Sequence, residues 1–170
     1  MSVSVVIPAL NEEPTIARVV QACLADDPLE VLVIDADSSD ATAAVATAAG
    51  ARVINWREVL PHVPVRVGKG ESMWRGVEAA RGDIVVFVDA DLESAAPGLV
   101  SALAAPFADT SIHLVKPVYS RTFGNQPTGG GRVTELTAKP LLGLFFPDLS
   151  HIAQPLGGEY AIRRSVAREL

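Results

Sequence analysis

Apolar and polar positions fall into alternating blocks along this chain. Short runs of β-branched residues read as buried strands. Stretches with apolar residues at helical spacing separate them and read as amphipathic helices. Val3–Ile7 is the first such strand, ended by Pro8, and Glu13–Leu24 places Ile16, Val19, Val20, Cys23 and Leu24 on one helical face. Glu30–Ile34 is a second strand. Ser38, Ser39 and Asp40 are N-caps for an alanine-rich helix, Ala41–Ala49, that Gly50 terminates. Arg52–Asn55 is a third strand, and a polar, proline-bearing loop runs from it to Gly68. Gly70–Ala80 is helical, and the strand Asp83–Val88 runs straight into Asp89-Ala90-Asp91. Pro97–Phe107 is a further helix and Ile112–Val118 a further strand. Strands alternating with helices predict an α/β fold, a mostly parallel sheet flanked by helices.

The pattern loosens in the last third. Arg121–Gly131 is rich in Gly, Pro, Thr and Asn and reads as a loop, while Arg132–Leu142 is helical up to a break near Pro140. Gln154–Ile162 is a late strand, and Arg163–Leu170 opens a helix. The division expected is 1–118 for one half and 119–170 for the start of another, within a single domain overall.

Composition narrows the function classes. With 170 residues, 49% hydrophobic and 20% charged, the chain is globular rather than disordered. A net charge of -6 argues against nucleic acid as partner. Charge is uneven, though. Between His113 and Leu141, Lys116, Arg121, Arg132 and Lys139 face only Glu135, which suits a small anionic ligand as well as ordinary surface. No apolar run approaches a membrane span. The lone Cys23 sits in a helical apolar pattern and has no partner for an intrachain disulfide. With Met1-Ser2 leading directly into a strand, a cytoplasmic setting and no membrane partner are expected.

Candidate chemistry sits at the strand tips. In open α/β sheets, ligands bind beyond the carboxyl ends of the strands. Asp89 and Asp91 at such a tip suit a hard divalent cation held against phosphate, or a helix cap. Pro8-Ala9-Leu10-Asn11-Glu12 turns at the first tip, where a strand stop with a helix cap is an equal reading. Asp35 ends the second strand and can accept hydrogen bonds from a ribose or base. No G-x-G-x-x-G follows the first strand, which disfavours a dinucleotide fold. Gly68-Lys69-Gly70 lets backbone approach a ligand while the ammonium meets phosphate, or is an exposed lysine in a flexible loop. Thr128-Gly129-Gly130-Gly131-Arg132-Val133-Thr134 offers backbone amides at a helix start, a planar guanidinium and a hydroxyl to an anion, with a plain loop as the alternative. Gln154-Pro155-Leu156-Gly157-Gly158-Glu159-Tyr160 is a turn entering a strand or backbone held near a ligand.

Taken in order, P-A-L-N-E-E, the acid at the second tip, G-K-G-E, D-A-D, G-G-G-R-V-T-E-L and Q-P-L-G-G-E-Y resemble the glucosyl-3-phosphoglycerate synthases, over nearly the whole chain. These are retaining glycosyltransferases of the GT-A fold, near the mannosyl-3-phosphoglycerate synthases. The resemblance implies transfer of glucose from a nucleoside diphosphate sugar, UDP-glucose favoured, to 3-phosphoglycerate with Mg²⁺ or Mn²⁺. The alternatives are a mannosyl-transferring or other GT-A enzyme, or a nucleotide-binding fragment without turnover. It further implies that Pro8, Ala9, Leu10, Glu12, Asp35, Lys69, Asp89 and Ala90 hold the nucleotide sugar, that Asp91 is the metal ligand, and that Gly131, Arg132 and Thr134 hold the acceptor. No catalytic residue is assigned.

The family continues past the position of Leu170, with a histidine metal ligand there that neither His113 nor His151 matches. The chain therefore reads as C-terminally truncated relative to the family, with a homodimer as the family's usual assembly. Ala36-Asp37 replaces the usual serine-glycine after the second-tip acid, which puts extra negative charge near a diphosphate.

Overall fold

The computed structural model describes residues 1–118, 121–123, 126–128 and 133–170. Two compact units are present: Met1–Val115 with Glu159–Leu170, and Lys116–Gly158.

The first unit is built on a six-stranded sheet. Its strands are β1 (Val3–Ala9), β2 (Glu30–Asp35), β3 (Arg52–Asn55), β4 (Ile84–Phe87), β5 (Leu114–Val115) and, late in the chain, β8 (Tyr160–Arg163), in the order β3-β2-β1-β4-β8-β5. The pairs among β1 to β4 are parallel, and β8 runs antiparallel to both its neighbours. The helices of this unit are α1 (Ile16–Leu24), α2 (Thr42–Ala48), α3 (Lys69–Ala79), α4 (Leu99–Ala104) and the single turn α6 (Arg164–Ala167).

Side-chain alternation divides the core. Val5, Ile7, Val31 and Val33 pack with Ile16, Val19, Val20 and Leu103 on one face. Val6, Leu32, Ile34 and Val85 pack with Val77 and Trp56 on the other. Because both faces are covered, these strands read as continuous apolar runs. Each such Val or Ile contributes about 1.5–3 kcal/mol on burial. The fit of α3 on the sheet depends on Gly76: a Cβ there would lie 2.3 Å from Val6 Cγ1.

Several boundaries differ from expectation, each for a local reason. Pro8 lies inside β1, paired with Ile34. Val88 donates to the Val6 carbonyl and Ala36 to the Ala9 carbonyl. Residue 8 therefore faces the β4 side, where the ladder has ended at Phe87, so its missing N–H interrupts little. Helix α4 begins only after Gly98, whose φ of 96° no L-residue favours. It tightens at Ala105–Ala108 into a 3₁₀ turn, where Pro106 can donate no helical bond. β5 is two residues rather than seven, and Pro117 cannot extend its ladder.

In the second unit, Arg121–Phe123 (β6) and Gln126–Thr128 (β7) pair as an antiparallel hairpin where a loop was expected. Thr134–Ala138 is a π-helical segment, and α5 runs Lys139–Phe145. Pro140 therefore does not break the helix but occupies the first turn of α5, where a missing donor is tolerated. The late strand is shorter than Gln154–Ile162 and belongs to the first unit's sheet. No described helix is long and apolar enough to cross a membrane.

Candidate active site

Parallel pairing brings the carboxyl ends of β1, β2, β3 and β4 to one edge of the sheet. The segments that follow them enclose a cleft of about 340 Å³. Pro8, Ala9, Leu10 and Glu12 line it from the first tip, and Asp89, Ala90 and Asp91 from the fourth. Lys69 reaches it from the first residue of α3. The structure thus brings together seven of the eight residues expected at the nucleotide sugar, and the expected metal ligand, from three separate segments.

The β1–α1 corner is built to hold shape. Asn11 adopts a left-handed φ of 57°. Its N–H donates to the Ser38 hydroxyl at 3.0 Å, and its side-chain oxygen accepts from the Ser39 N–H at 2.8 Å. The Glu12 N–H donates to the Thr42 hydroxyl at 2.7 Å. None of the three expected residues is the N-cap of α2, which is Ala41; Asp40, just before it, accepts from the Thr42 N–H at 3.0 Å. Ser38 and Ser39 instead clasp the first tip to the second.

Asp35, the eighth expected residue, is 6% exposed and does not line the cleft. It lies one residue behind Ala36, which does. One of its carboxylate oxygens accepts from the Ser38 N–H at 3.3 Å, and the other is buried without a hydrogen-bond partner.

Asp37 does not leave a free charge beside the cleft. The Arg57 guanidinium and the Asn55 amide hold its carboxyl down at about 2. Arg57 Nη2 lies 2.6 Å from it. At the fourth tip, Lys69 Nζ forms an ion pair with Asp89, whereas Asp91 is exposed. The cleft therefore presents Glu12, Asp89 and Asp91 against one ammonium. Such a tip repels a diphosphate unless a cation accompanies it. The donor set is all hard oxygen, which fits Mg²⁺ or Mn²⁺. Asp91 is exposed and carries no ion pair among the described residues, whereas Asp89 is paired with Lys69.

Gly131 and Arg132, two of the three residues expected at the acceptor, lie outside the described residues. Thr134 opens the π-helical segment of the second unit. Sequence reasoning noted Ala36 only as a departure from the family and missed Trp56, Val67 and Ser72; all four are on the cleft wall. Two signals for them exist. Trp56 directly follows a strand tip, and Ser72 stands three residues beyond Lys69 on the same helical face.

The profile of glycosyl transferase family 2 matches residues 4–170. The glucosyl-3-phosphoglycerate synthase of Mycolicibacterium paratuberculosis is 48% identical, over 97% of this chain and 54% of that protein. The one from Petrotoga mobilis is 41% identical, over 100% of this chain and 56% of its own length. The chain thus spans about half the length of the curated relatives it matches. A crystal structure of the Mycobacterium tuberculosis glucosyl-3-phosphoglycerate synthase, in complex with Mn²⁺, UDP-glucose and phosphoglyceric acid, superposes with a TM-score of 0.87 at 47% identity, covering 97% of this chain and 57% of that one. The mixed sheet and its flanking helices are the GT-A fold.

Proposed function

The chain belongs to glycosyl transferase family 2, and from that premise we propose that it is the donor-binding part of a retaining glucosyl-3-phosphoglycerate synthase, taking UDP-glucose and, with its acceptor residues, 3-phosphoglycerate. The single observation that carries this is the acidic cleft. Glu12, Asp89 and Asp91 line one cleft together with Lys69, an arrangement suited to a diphosphate bound together with a divalent cation. The relatives at 41–48% identity bear that enzyme's name.

In this reading Pro8, Ala9, Leu10, Glu12 and Asp35 serve the nucleoside, and Asp89 and Ala90 the ribose and sugar. Asp91 holds the cation. Bound Mg²⁺ or Mn²⁺ supplies Lewis acidity at the departing diphosphate. Lys69 exchanges its Asp89 partner for a phosphate oxygen and offsets charge there. Gly131, Arg132 and Thr134 hold the phosphoglycerate anion, so that residues 1–118 serve the donor and 119–170 begin the acceptor side. A cytoplasmic setting belongs to the same proposal.

The test is a calorimetric titration of UDP and GDP with and without Mn²⁺. UDP is expected to bind with Mn²⁺, and Asp91→Ala to abolish the metal-dependent component. Arg132→Ala is expected to spare the nucleotide and weaken 3-phosphoglycerate. Equal losses of both ligands in both variants would overturn the division of labour.

A further inference from the structure

Building on the reading of the cleft as a nucleoside diphosphate sugar site, we infer that Trp56 is the wall closing its base end and selecting a pyrimidine, and that the Asp37–Arg57 ion pair holds that wall in place. The order of the strands sets the direction. Asp91 follows β4, and Trp56 directly follows β3, the edge strand on the other side of β1 and β2. Three strand spacings, about 14 Å, separate β4 from β3. A diphosphate placed at Asp91 and Lys69 thus leaves its nucleoside to run past the tips of β1 and β2, by Pro8, Leu10 and Ala36, to Trp56.

Trp56 is 6% exposed although it stands in a turn beyond an edge strand. It is held from both sides. The Asn55 side-chain oxygen accepts from the Arg57 N–H at 2.9 Å, which closes the turn around Trp56. Asn55 Nδ2 donates to Asp37 at 3.0 Å, and Arg57 Nε donates to the other Asp37 oxygen at 2.8 Å. Asp37 reaches them from a left-handed φ of 64°. On the inner side, the fully buried Arg75 donates to the Trp56 carbonyl at 3.2 Å. These bonds fix the backbone on either side of Trp56, and its side chain packs in the core cluster with Leu32, Ile34 and Val77, so in this inference the wall resists moving aside for a second fused ring. Asp37, read from sequence as a liability beside a diphosphate, is thereby a positioning residue with its charge already matched.

The chain's two tryptophans allow a direct readout. In Trp74→Phe, which removes the half-exposed indole on α3, the emission of Trp56 is expected to change on UDP binding with Mn²⁺. Trp56→Ala is expected to weaken UDP about tenfold, in line with the loss of one aromatic contact to a base, and to narrow the UDP-over-GDP preference several-fold. Arg57→Ala is expected to weaken UDP about threefold and, combined with Trp74→Phe, to raise acrylamide quenching of Trp56.

The inference fails if Trp56→Ala leaves both UDP affinity and the UDP-to-GDP ratio unchanged, or if Trp56 emission in Trp74→Phe is silent at saturating UDP. The second measurement stands even where Trp56→Ala does not fold. If the parent chain binds UDP but these effects are absent, the wall alone is wrong. If the parent binds no UDP with Mn²⁺, the donor-site reading fails and the wall with it.

Discussion

Two carboxylates stand at opposite ends of β2 and do opposite things. Glu30 opens the strand with its side chain 8% exposed. It accepts from the Ser4 hydroxyl at 2.8 Å, the Arg81 N–H at 2.8 Å and Arg52 Nη1 at 3.0 Å. Asp35 closes the strand with a single 3.3 Å bond from Ser38 and one buried oxygen unmatched. A buried acceptor left unmatched costs about 1–3 kcal/mol, so folded proteins keep few of them. At the amino end of β2 both Glu30 oxygens are bonded, whereas at the carboxyl end one Asp35 oxygen is not. Satisfaction of hydrogen-bonding capacity, more than burial or charge, separates the two acids of β2.

The largest effect that tests this contrast lies at the amino end. Glu30→Ala strands a hydroxyl, an amide and a guanidinium that the protein has folded around. It is expected to cost about 2–3 kcal/mol in urea unfolding, with UDP affinity of the folded fraction unchanged. A cost below about 0.5 kcal/mol would show that the Glu30 cluster is solvated decoration. At the carboxyl end, Asp35→Ala removes one weak bond and one mismatch, so stability is expected to move by less than about 1 kcal/mol. UDP affinity should nonetheless fall about tenfold or more, as for loss of a charged hydrogen bond. If Asp35→Ala destabilises as much as Glu30→Ala while binding survives, the two ends of β2 are alike and the contrast collapses.

How much of this was legible beforehand depends on what each segment buries. Val31–Ile34 and Ile84–Phe87 are packed on both faces, and their apolar runs announced them. The Asp89-Ala90-Asp91 tip was legible because a buried strand that ends in two acids leaves few uses for them. The segment Lys116–Gly158 was not. Leu136, Leu144, Phe145 and Phe146 are exposed there, and none of residues 116–118 and 133–158 is buried. Hydrophobic spacing reports a face only when something covers that face, so the hairpin β6–β7 and the true extent of α5 left no periodic signature. Trp56 and the Asp37–Arg57 pair escaped for another reason: their partners are 18 to 20 residues apart in sequence. Only the parallel register of β2 with β3, which sets Asp35 opposite Asn55, brings them together.

The smallest effect is also the most selective, because it follows protons. Burial alone would raise the Glu30 carboxyl, but the Ser4 hydroxyl, the Arg81 N–H and Arg52 outweigh it and hold it below 4.5. A carboxyl depressed on folding stabilises the protein fully above its unfolded value, and that stability is lost as pH falls through the folded value. Parent stability should therefore decline below about pH 4.5 more steeply than that of Glu30→Gln, which has no proton to take up at this position. The gap between the two proteins should be constant from pH 7 to 5 and close as the solution is acidified. A gap that stays constant to pH 3 would mean that the Glu30 partners act through shape rather than charge, and the amino edge would then need another account of its hold on β2.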